Sequence, residues 1–260
     1  MADRACSEHA GYLETGLMRI ALHPSAEVGT RVGLILLAEH SLVALGLYGG
    51  IGGLGSNRRT MKISALSGFD VFVTDDPDPV PLVAIAAEDG LSCVVAGSIP
   101  PAVAARFTAA GRTLLVGADL KGIAATLAAH EAARMEGSVD VNAAWTIPGK
   151  ALRRGTGVGF PEPVGARWGV KVNGGIEVPV GGSWAAAAAT VSSVTNGVRS
   201  ERLVGVADQR DHLAAIALAA GAIVVASGGY PRGVHTPADN AEAYLSAALT
   251  AGLGVAAYQT

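Results

Sequence analysis

The sequence predicts an α/β protein whose parallel sheet is followed by an α+β part with a mixed or antiparallel sheet. Three observations support this prediction. Short apolar segments alternate with helical periodicity between residues 18 and 135. After residue 137 the pattern changes to alternating polar and apolar residues. Half of the 260 residues are hydrophobic and 16% are charged, which is enough to build a sizeable core.

The first part contains five short apolar runs that we predict to be strands. They lie at 18–22, 42–48, 69–74, 91–96 and 113–116. Helical spacing predicts intervening helices at 25–40, 80–89, 100–110 and 123–135. Strands that are apolar on both faces and joined by helices are typical of a parallel, Rossmann-type sheet. Such a sheet binds its ligands at the carboxyl ends of the strands.

The second part of the sequence, after residue 137, has a different pattern of polar and apolar residues. Alternation at 139–145 and 170–180 predicts antiparallel strands, with a hairpin turn at Asn173-Gly174-Gly175, and 203–206 is a further strand. The helix predicted at 211–227 is apolar on nearly every side, which indicates a core helix or an oligomer interface. A final helix is expected at 237–253. We therefore predict a lead-in at 1–17, a Rossmann-type nucleotide-binding domain at 18–137, and a substrate and dimerisation domain at 138–260.

Composition and charge exclude several function classes. The net charge is −3 and no like charges cluster, so nucleic acid is not expected as a partner. The longest apolar run, 213–226, is shorter than the roughly 20 residues that span a bilayer. No Cys/His cluster has zinc spacing, and the first residues lack the apolar core of a signal peptide. These features predict a cytoplasmic, metal-free protein with a small-molecule substrate, and a possible homodimer.

The turn after the first strand aligns with the glycine-rich turn that holds the pyrophosphate in dinucleotide-binding folds. That turn reads Gly-Ala-Thr-Gly-x-x-Gly, and here the stretch 23–29 reads HPSAEVG. Gly29 fills the last glycine position, whereas His23 and Ala26 replace the first two. The candidate cofactor-binding residues in this turn are His23, Ser25, Val28 and Gly29. The alternative is an ordinary strand–helix turn in a sheet that binds no dinucleotide.

The second strand ends at Tyr48 and Gly49, without the acidic residue that usually holds the ribose 2′-hydroxyl. Arg58 and Arg59 follow, and a pair of arginines can clamp a 2′-phosphate, which favours NADP over NAD. The alternative is a solvated arginine pair. Asp75 follows the next predicted strand and is a candidate for the ribose or the substrate. The alternative for Asp75 is the N-cap of the next helix.

Three stretches of the chain resemble the saccharopine dehydrogenase-like oxidoreductases. They are WTIPGKALRRG at 145–155, FPEPVG at 160–165 and PRGVHTP at 231–237. The resemblance covers most of the chain from residue 18 onward. It implies a Rossmann domain, a substrate domain, and NAD(P)-linked redox chemistry at an amine or imine carbon. The turn at 23–26 departs from the glycine pattern of that family.

Three side chains in these stretches are candidate catalytic residues. His235 is the leading acid/base candidate, because imidazole is the side chain most often used in general acid–base catalysis. Lys150 is a candidate proton donor. Arg153, beside Arg154, is suited to a substrate carboxylate. The alternatives are a loop-packing histidine and solvated surface charges.

Two hypotheses about function remain open at this point. The first is an NAD(P)-dependent oxidoreductase whose substrate binds in a cleft between the two parts, where Trp145 and Trp168 are candidate pocket walls. The second is a Rossmann-shaped protein without redox activity. It would be a ligand-binding or regulatory protein, or a cofactor-independent isomerase or cyclase. The fold alone does not separate them.

Overall fold

The computed structural model describes residues 17–23, 26–49, 54 and 57–259. Its strands are β1 Met18–His23, β2 Leu42–Tyr48, β3 Thr60–Ile63, β4 Val71–Thr74, β5 Ser92–Val95, β6 Thr113–Leu115, β7 Ser138–Pro148, β8 Thr156–Val158, β9 Arg167–Val172, β10 Gly175–Val180, β11 Trp184–Thr195, β12 Val198–Gln209, β13 Gly233–His235 and β14 Ala256–Gln259. Its helices are α1 Ala26–Ala38, α2 Val80–Glu88, α3 Pro101–Ala109, α4 Leu120–Ala132, α5 Arg210–Ala226 and α6 Ala241–Thr250, with a short 3₁₀ helix at Pro237–Asn240. The predicted lead-in lies outside the described residues, apart from Leu17.

Seven parallel strands form the first sheet, in the order β13-β6-β5-β4-β1-β2-β3. The chain starts at the centre, runs outward through β2 and β3, and then reverses through β4, β5 and β6. The strand order therefore switches direction between β1 and β4, which pair in parallel. In open α/β sheets ligands bind outside the carboxyl ends of the strands, at such a switch point. The predicted Rossmann-type sheet is confirmed.

Helices cover both faces of this sheet, so its strands are buried on both sides. Helix α1 packs against α5 on one face, together with side chains such as Ile20 and Val73. Helices α2 and α3 cover the other face, where Phe107 packs with Phe72 and Cys93. Such burial on both faces is why the strand sequences are continuous apolar runs rather than alternating ones.

The second sheet also has seven strands, in the order β14-β12-β11-β7-β10-β9-β8. It is mixed, because β10 pairs with β7 in parallel while the remaining pairs are antiparallel. Strands β9 and β10 form the hairpin predicted from Asn173-Gly174, and Gly174 has a φ of 88°. Helix α4 packs on one face of the sheet, over β7 and β11.

The chain returns to the first sheet after the second one, which the boundary predicted after residue 137 does not anticipate. Strand β13 pairs in parallel with β6, and α5 packs on α1 and on strands of the first sheet. Helix α5 is thus a core helix, with residues such as Ile216 and Leu218 fully buried within the chain. Its apolarity is explained by this burial, and the homodimer stays a prediction.

The sequence analysis did not predict five of the strands, which are β3, β8, β11, β13 and β14. Strand β3 is short and contains Lys62, and β11 includes five successive alanines at 185–189. Alanine has a low preference for strands, so an alanine run does not predict one. In the structure these alanines are buried, because their small side chains let neighbouring layers approach the sheet from both faces.

Among the described residues, no helix combines the length and the apolar character needed to cross a membrane. No group of three or more His, Cys, Asp or Glu side chains in the described part of the chain is placed to hold a metal ion.

Candidate functional site

A cavity of about 370 Å³ lies at the carboxyl edge of the first sheet, and we call it the edge cavity. Three loops and a helix start line it. The loops follow β5, β6 and β13, and the helix is α4. Lining residues include Gly97, Ser98, Gly117, Lys121 and Thr236. The cavity therefore occupies the part of the fold where a Rossmann-type sheet binds its ligands.

The floor of the edge cavity lies where α4 starts against the loop after β6. The Asp119 carboxylate caps α4 by accepting a hydrogen bond from Gly122 N at 2.9 Å. Burial raises the pKa of this carboxyl, against opposing hydrogen bonds from the backbone and the charge of Lys121. A Cβ at Gly122 would lie 1.9 Å from Gly117 O, so only glycine lets α4 start this close to the loop after β6.

Lys121 connects the edge cavity to the second sheet. Its ammonium lies 5.2 Å from the centre of the Trp145 ring and donates to Asn173 O at 3.5 Å. A Cβ at Gly174 would lie 3.6 Å from Lys121 Cε. The hairpin turn between β9 and β10 therefore reaches the cavity, so both sheets contribute to its surroundings.

At the ends of β1 and β2, side chains occupy the carboxyl edge of the first sheet. The His23 ring lies 5.7 Å from the Tyr48 ring, centre to centre. A Cβ at Gly49 would lie 2.7 Å from His23 Nε2, and Gly49 has a φ of 79°. His23 Nδ1 is buried and has no hydrogen-bond partner among the described residues. A side chain thus occupies the end of the second strand, where dinucleotide-binding folds usually contact a ribose.

The structure places the predicted cofactor-binding residues His23, Val28, Gly29 and Asp75 in different surroundings. His23 occupies the end of β1, and Ser25 lies outside the described residues. Val28 and Gly29 are buried in α1, where Val28 packs in the core. Asp75 follows β4 directly at the carboxyl edge and is half-buried. Asp75 does not cap the next helix, because α2 begins at Val80 with Pro79 as its N-cap.

The two arginines predicted to clamp a 2′-phosphate are not at this edge. The Arg59 guanidinium donates to Glu39 O at 3.0 Å and to Leu42 O at 3.1 Å, and also to Leu37 O. It therefore caps the carboxyl end of α1, at the amino end of β2. Arg58 is exposed in the turn before β3. Both arginines lie at the amino edge because β2 and β3 are parallel, so the chain returns to that edge before β3 starts.

The structure does not bring the three candidate catalytic residues into contact. The His235 ring stacks on Tyr230 at 5.6 Å, and its Nδ1 lies 3.8 Å from Asp239 Oδ2. Its Nε2 is buried without a partner among the described residues. Lys150 and Arg153 are exposed in the loop between β7 and β8. The neighbour of His235, Thr236, lines the edge cavity instead.

Sequence reasoning missed most of the residues that line the edge cavity. Gly97-Ser98 and Gly117 directly follow predicted strands, and Asp119 precedes a helix by the spacing of a side-chain cap. Their position after strand ends was the signal available, because the carboxyl ends of parallel strands meet at one edge. None of these residues is a catalytic signature by type.

Solved structures with a similar fold include two enzymes in complex with a dinucleotide and one dehydrogenase in complex with DAP. Homospermidine synthase from Legionella pneumophila in complex with NAD matches with a TM-score of 0.60 at 8% identity, over 94% of this chain and 91% of that one. An engineered D-amino acid dehydrogenase bound to NADP+ matches with a TM-score of 0.52 at 13% identity, over 85% and 93%. DAP dehydrogenase of C. glutamicum in complex with DAP has a TM-score of 0.52 at 11% identity, over 86% and 94%.

No protein-family model and no curated protein matches the sequence. The structural matches show that the chain has the two-sheet architecture of these proteins. At such low identity they show the fold alone, and the function has to be argued from the site.

Proposed function

We propose that the protein is an NAD(P)-dependent oxidoreductase that acts on a small amine, imine or carbonyl compound. The observation that carries the proposal is the edge cavity, which lies at the carboxyl ends of β5, β6 and β13 and adjoins the hairpin of the second sheet. The resemblance of residues 145–155 and 231–237 to saccharopine dehydrogenase-like oxidoreductases supports the same chemistry. NAD(P), when bound, supplies or accepts the hydride.

The residues at the edge fit such a cofactor only in part. Around the edge cavity, Gly97, Ser98 and Gly117 offer open backbone, and a Cβ at Gly97 or Gly117 would meet no atom within 4 Å. These residues would hold the nicotinamide half. At the other half, His23 and Tyr48 replace the bare backbone and the acidic residue that usually contact a ribose. The adenosine half would therefore need contacts unlike the usual ones.

The packing of His23 favours a second candidate function, a Rossmann scaffold that has lost dinucleotide redox activity. In this case the edge cavity would bind a smaller ligand alone. The protein would be a ligand-binding or regulatory protein, or a cofactor-independent isomerase or cyclase. The observation that supports it is the imidazole ring packed against Gly49, because it takes the space at the end of the second strand.

A titration with NADPH and NADH, followed by nicotinamide fluorescence, separates the two candidates. We expect saturable binding with a micromolar Kd. Gly97→Val, whose side chain would project into open space at the edge cavity, should weaken binding by about tenfold or more. Gly254→Val is the matched control, because it is also unobstructed and lies before β14, away from the cavity. The absence of binding at millimolar NADPH and NADH would overturn the oxidoreductase and leave the second candidate.

A further inference from the structure

The second sheet has an exposed apolar surface on the face that it turns toward α4. A Cβ at Gly175 would lie 2.8 Å from Trp145 Cζ3, so Gly175 and Glu177, two residues later on β10, share the face of Trp145. On β9, Gly169 faces Ile176 and Val178 on the opposite side, so its neighbours Trp168 and Val170 lie on the first face. Because α4 covers β7 and β11, these β9 side chains remain 46% and 53% exposed.

Glu177 lies in the middle of this surface. In the strand register its neighbour on β7 is Trp145 and its neighbour on β9 is Val170. It is half-buried, and it has neither an ion pair nor a hydrogen bond with any described residue. A carboxylate among indole and aliphatic side chains loses part of its hydration, so a cation beside it would be stabilised. We call the surface formed by Trp168, Val170 and Glu177, which borders the buried Trp145, the amine wall.

We propose that the amine wall binds the ammonium group of a small organic amine, with the carboxylate of Glu177 as counter-ion. The aliphatic or aromatic part of the ligand would pack on Trp168 and Val170. The inference rests on the proposed function, because it takes this amine to be the substrate of the proposed oxidoreductase. Aromatic faces attract cations through their quadrupole, and a carboxylate adds direct charge pairing. This chemistry selects an amine over a neutral carbonyl compound.

One residue links the neighbourhood of the amine wall to the edge cavity. Lys121 is the connection, since it lines the cavity and also lies over the Trp145 ring. Lys121 makes no ion pair within 4.0 Å of Glu177, so the carboxylate remains available for a ligand.

Heteronuclear NMR on the full chain tests the inference through its three tryptophans. The probes are n-hexylamine and its neutral counterpart n-hexanol, with Trp168→Phe used to assign the Trp168 indole N–H signal. We expect n-hexylamine to shift the Trp168 signal saturably and n-hexanol to bind at least about tenfold more weakly. The signal of Trp184, at the start of β11 on the opposite face, should not move.

Glu177→Gln keeps the shape of the side chain and removes its charge. We expect this variant to lose most of the preference for n-hexylamine over n-hexanol. The matched control is Asp140→Asn, an exposed strand carboxylate on the opposite face of the same sheet, which should keep the preference for the amine. Equal binding of the two probes by the wild type, or an unchanged preference in Glu177→Gln, would overturn the inference.

The titration is run without cofactor and again with saturating NADPH, which separates the inference from the proposed function. Amine binding without any binding of NADPH would support the amine wall and contradict the oxidoreductase. NADPH binding without any amine-dependent shift, under both conditions, would contradict the amine wall and leave the oxidoreductase intact.

Discussion

The two halves of the carboxyl edge of the first sheet differ although the same backbone geometry builds both. At the β1–β2 end the His23 ring packs on Gly49 and beside Tyr48. At the β5–β6–β13 end, backbone loops surround a cavity of about 370 Å³. The strands are parallel and in register at both ends. The difference therefore arises from one side chain at the end of β1 and from glycines after β5 and β6.

This difference teaches that a Rossmann-type sheet does not by itself provide a dinucleotide site. The sheet brings strand ends together, but close approach of a ligand to the backbone also requires the absence of side chains there. Here that condition holds at the β5–β6–β13 end, which we call the open end. It fails at the β1–β2 end, which we call the filled end. Substitutions that exchange these properties are the direct way to test the comparison.

The largest effect is expected from Gly122→Ala at the open end. The new Cβ would lie 1.9 Å from the backbone atom Gly117 O, so α4 and the loop after β6 must separate. We expect the free energy of unfolding to fall by about 3 kcal/mol, measured by urea denaturation. Gly97→Ala lines the same cavity without obstruction and should leave stability nearly unchanged. Equal stability of the two variants would contradict the described floor of the cavity.

A smaller effect is expected from Gly49→Ala at the filled end. The substitution places a Cβ 2.7 Å from His23 Nε2 at a φ of 79°. We expect a loss of about 2 to 3 kcal/mol in the wild type, of which about 1 kcal/mol comes from the backbone conformation. In a His23→Ala background only the backbone part should remain. A double-mutant cycle in denaturant measures the difference, and zero coupling would mean that the ring does not fill this end.

The smallest effect concerns the pH dependence that Asp119 contributes at the open end. Burial raises the pKa of its carboxyl, so the folded state holds the proton more tightly than the unfolded state does. The stability from this group is complete below the ordinary Asp pKa of about 4 and is lost as the pH rises through the raised pKa.

Asp119→Asn keeps the oxygen that accepts from Gly122 N and removes the charge. We expect the variant to be more stable than the wild type at neutral pH, by up to about 1 kcal/mol, and the advantage to disappear toward pH 4. Thermal unfolding at several pH values measures this difference. If the wild type were more stable than Asp119→Asn at neutral pH, the charge of the carboxylate would not lower the free energy of unfolding at this helix start.

The sequence was sufficient to predict most of the first sheet and much less of the site. Short apolar runs such as 91–96, flanked by helical segments on both sides, indicate buried strands, so most strands of the first sheet were predicted in the right places. Strand β13 was missed because its three residues, Gly233–His235, are too short for a pattern. The alanines of β11 were missed because their strand character comes from packing on both faces rather than from intrinsic preference.

Site residues depend on which segments meet in space, and this information is absent from local patterns. Arg59 has the residue type for phosphate binding, yet it caps α1 because the loop after β2 runs back to the amino edge. Lys121 was not singled out, because an exposed lysine early in a helix is common. Only its contacts with Trp145 and Asn173 show that it joins the two sheets. The assignments of His235, Lys150 and Arg153 stay predictions.

The late return of the chain to the first sheet has a consequence for how the protein is made. Thr113 Oγ1, in the first residue of β6, donates to Pro231 O, which lies 118 positions further along the chain. The edge formed by β13 is therefore completed only after strands β7 to β12 of the second sheet have been synthesised. Contacts between such distant residues slow folding, because a long loop must close before they form. The first sheet is therefore not complete when its first six strands leave the ribosome, and its open end still lacks β13 at that point.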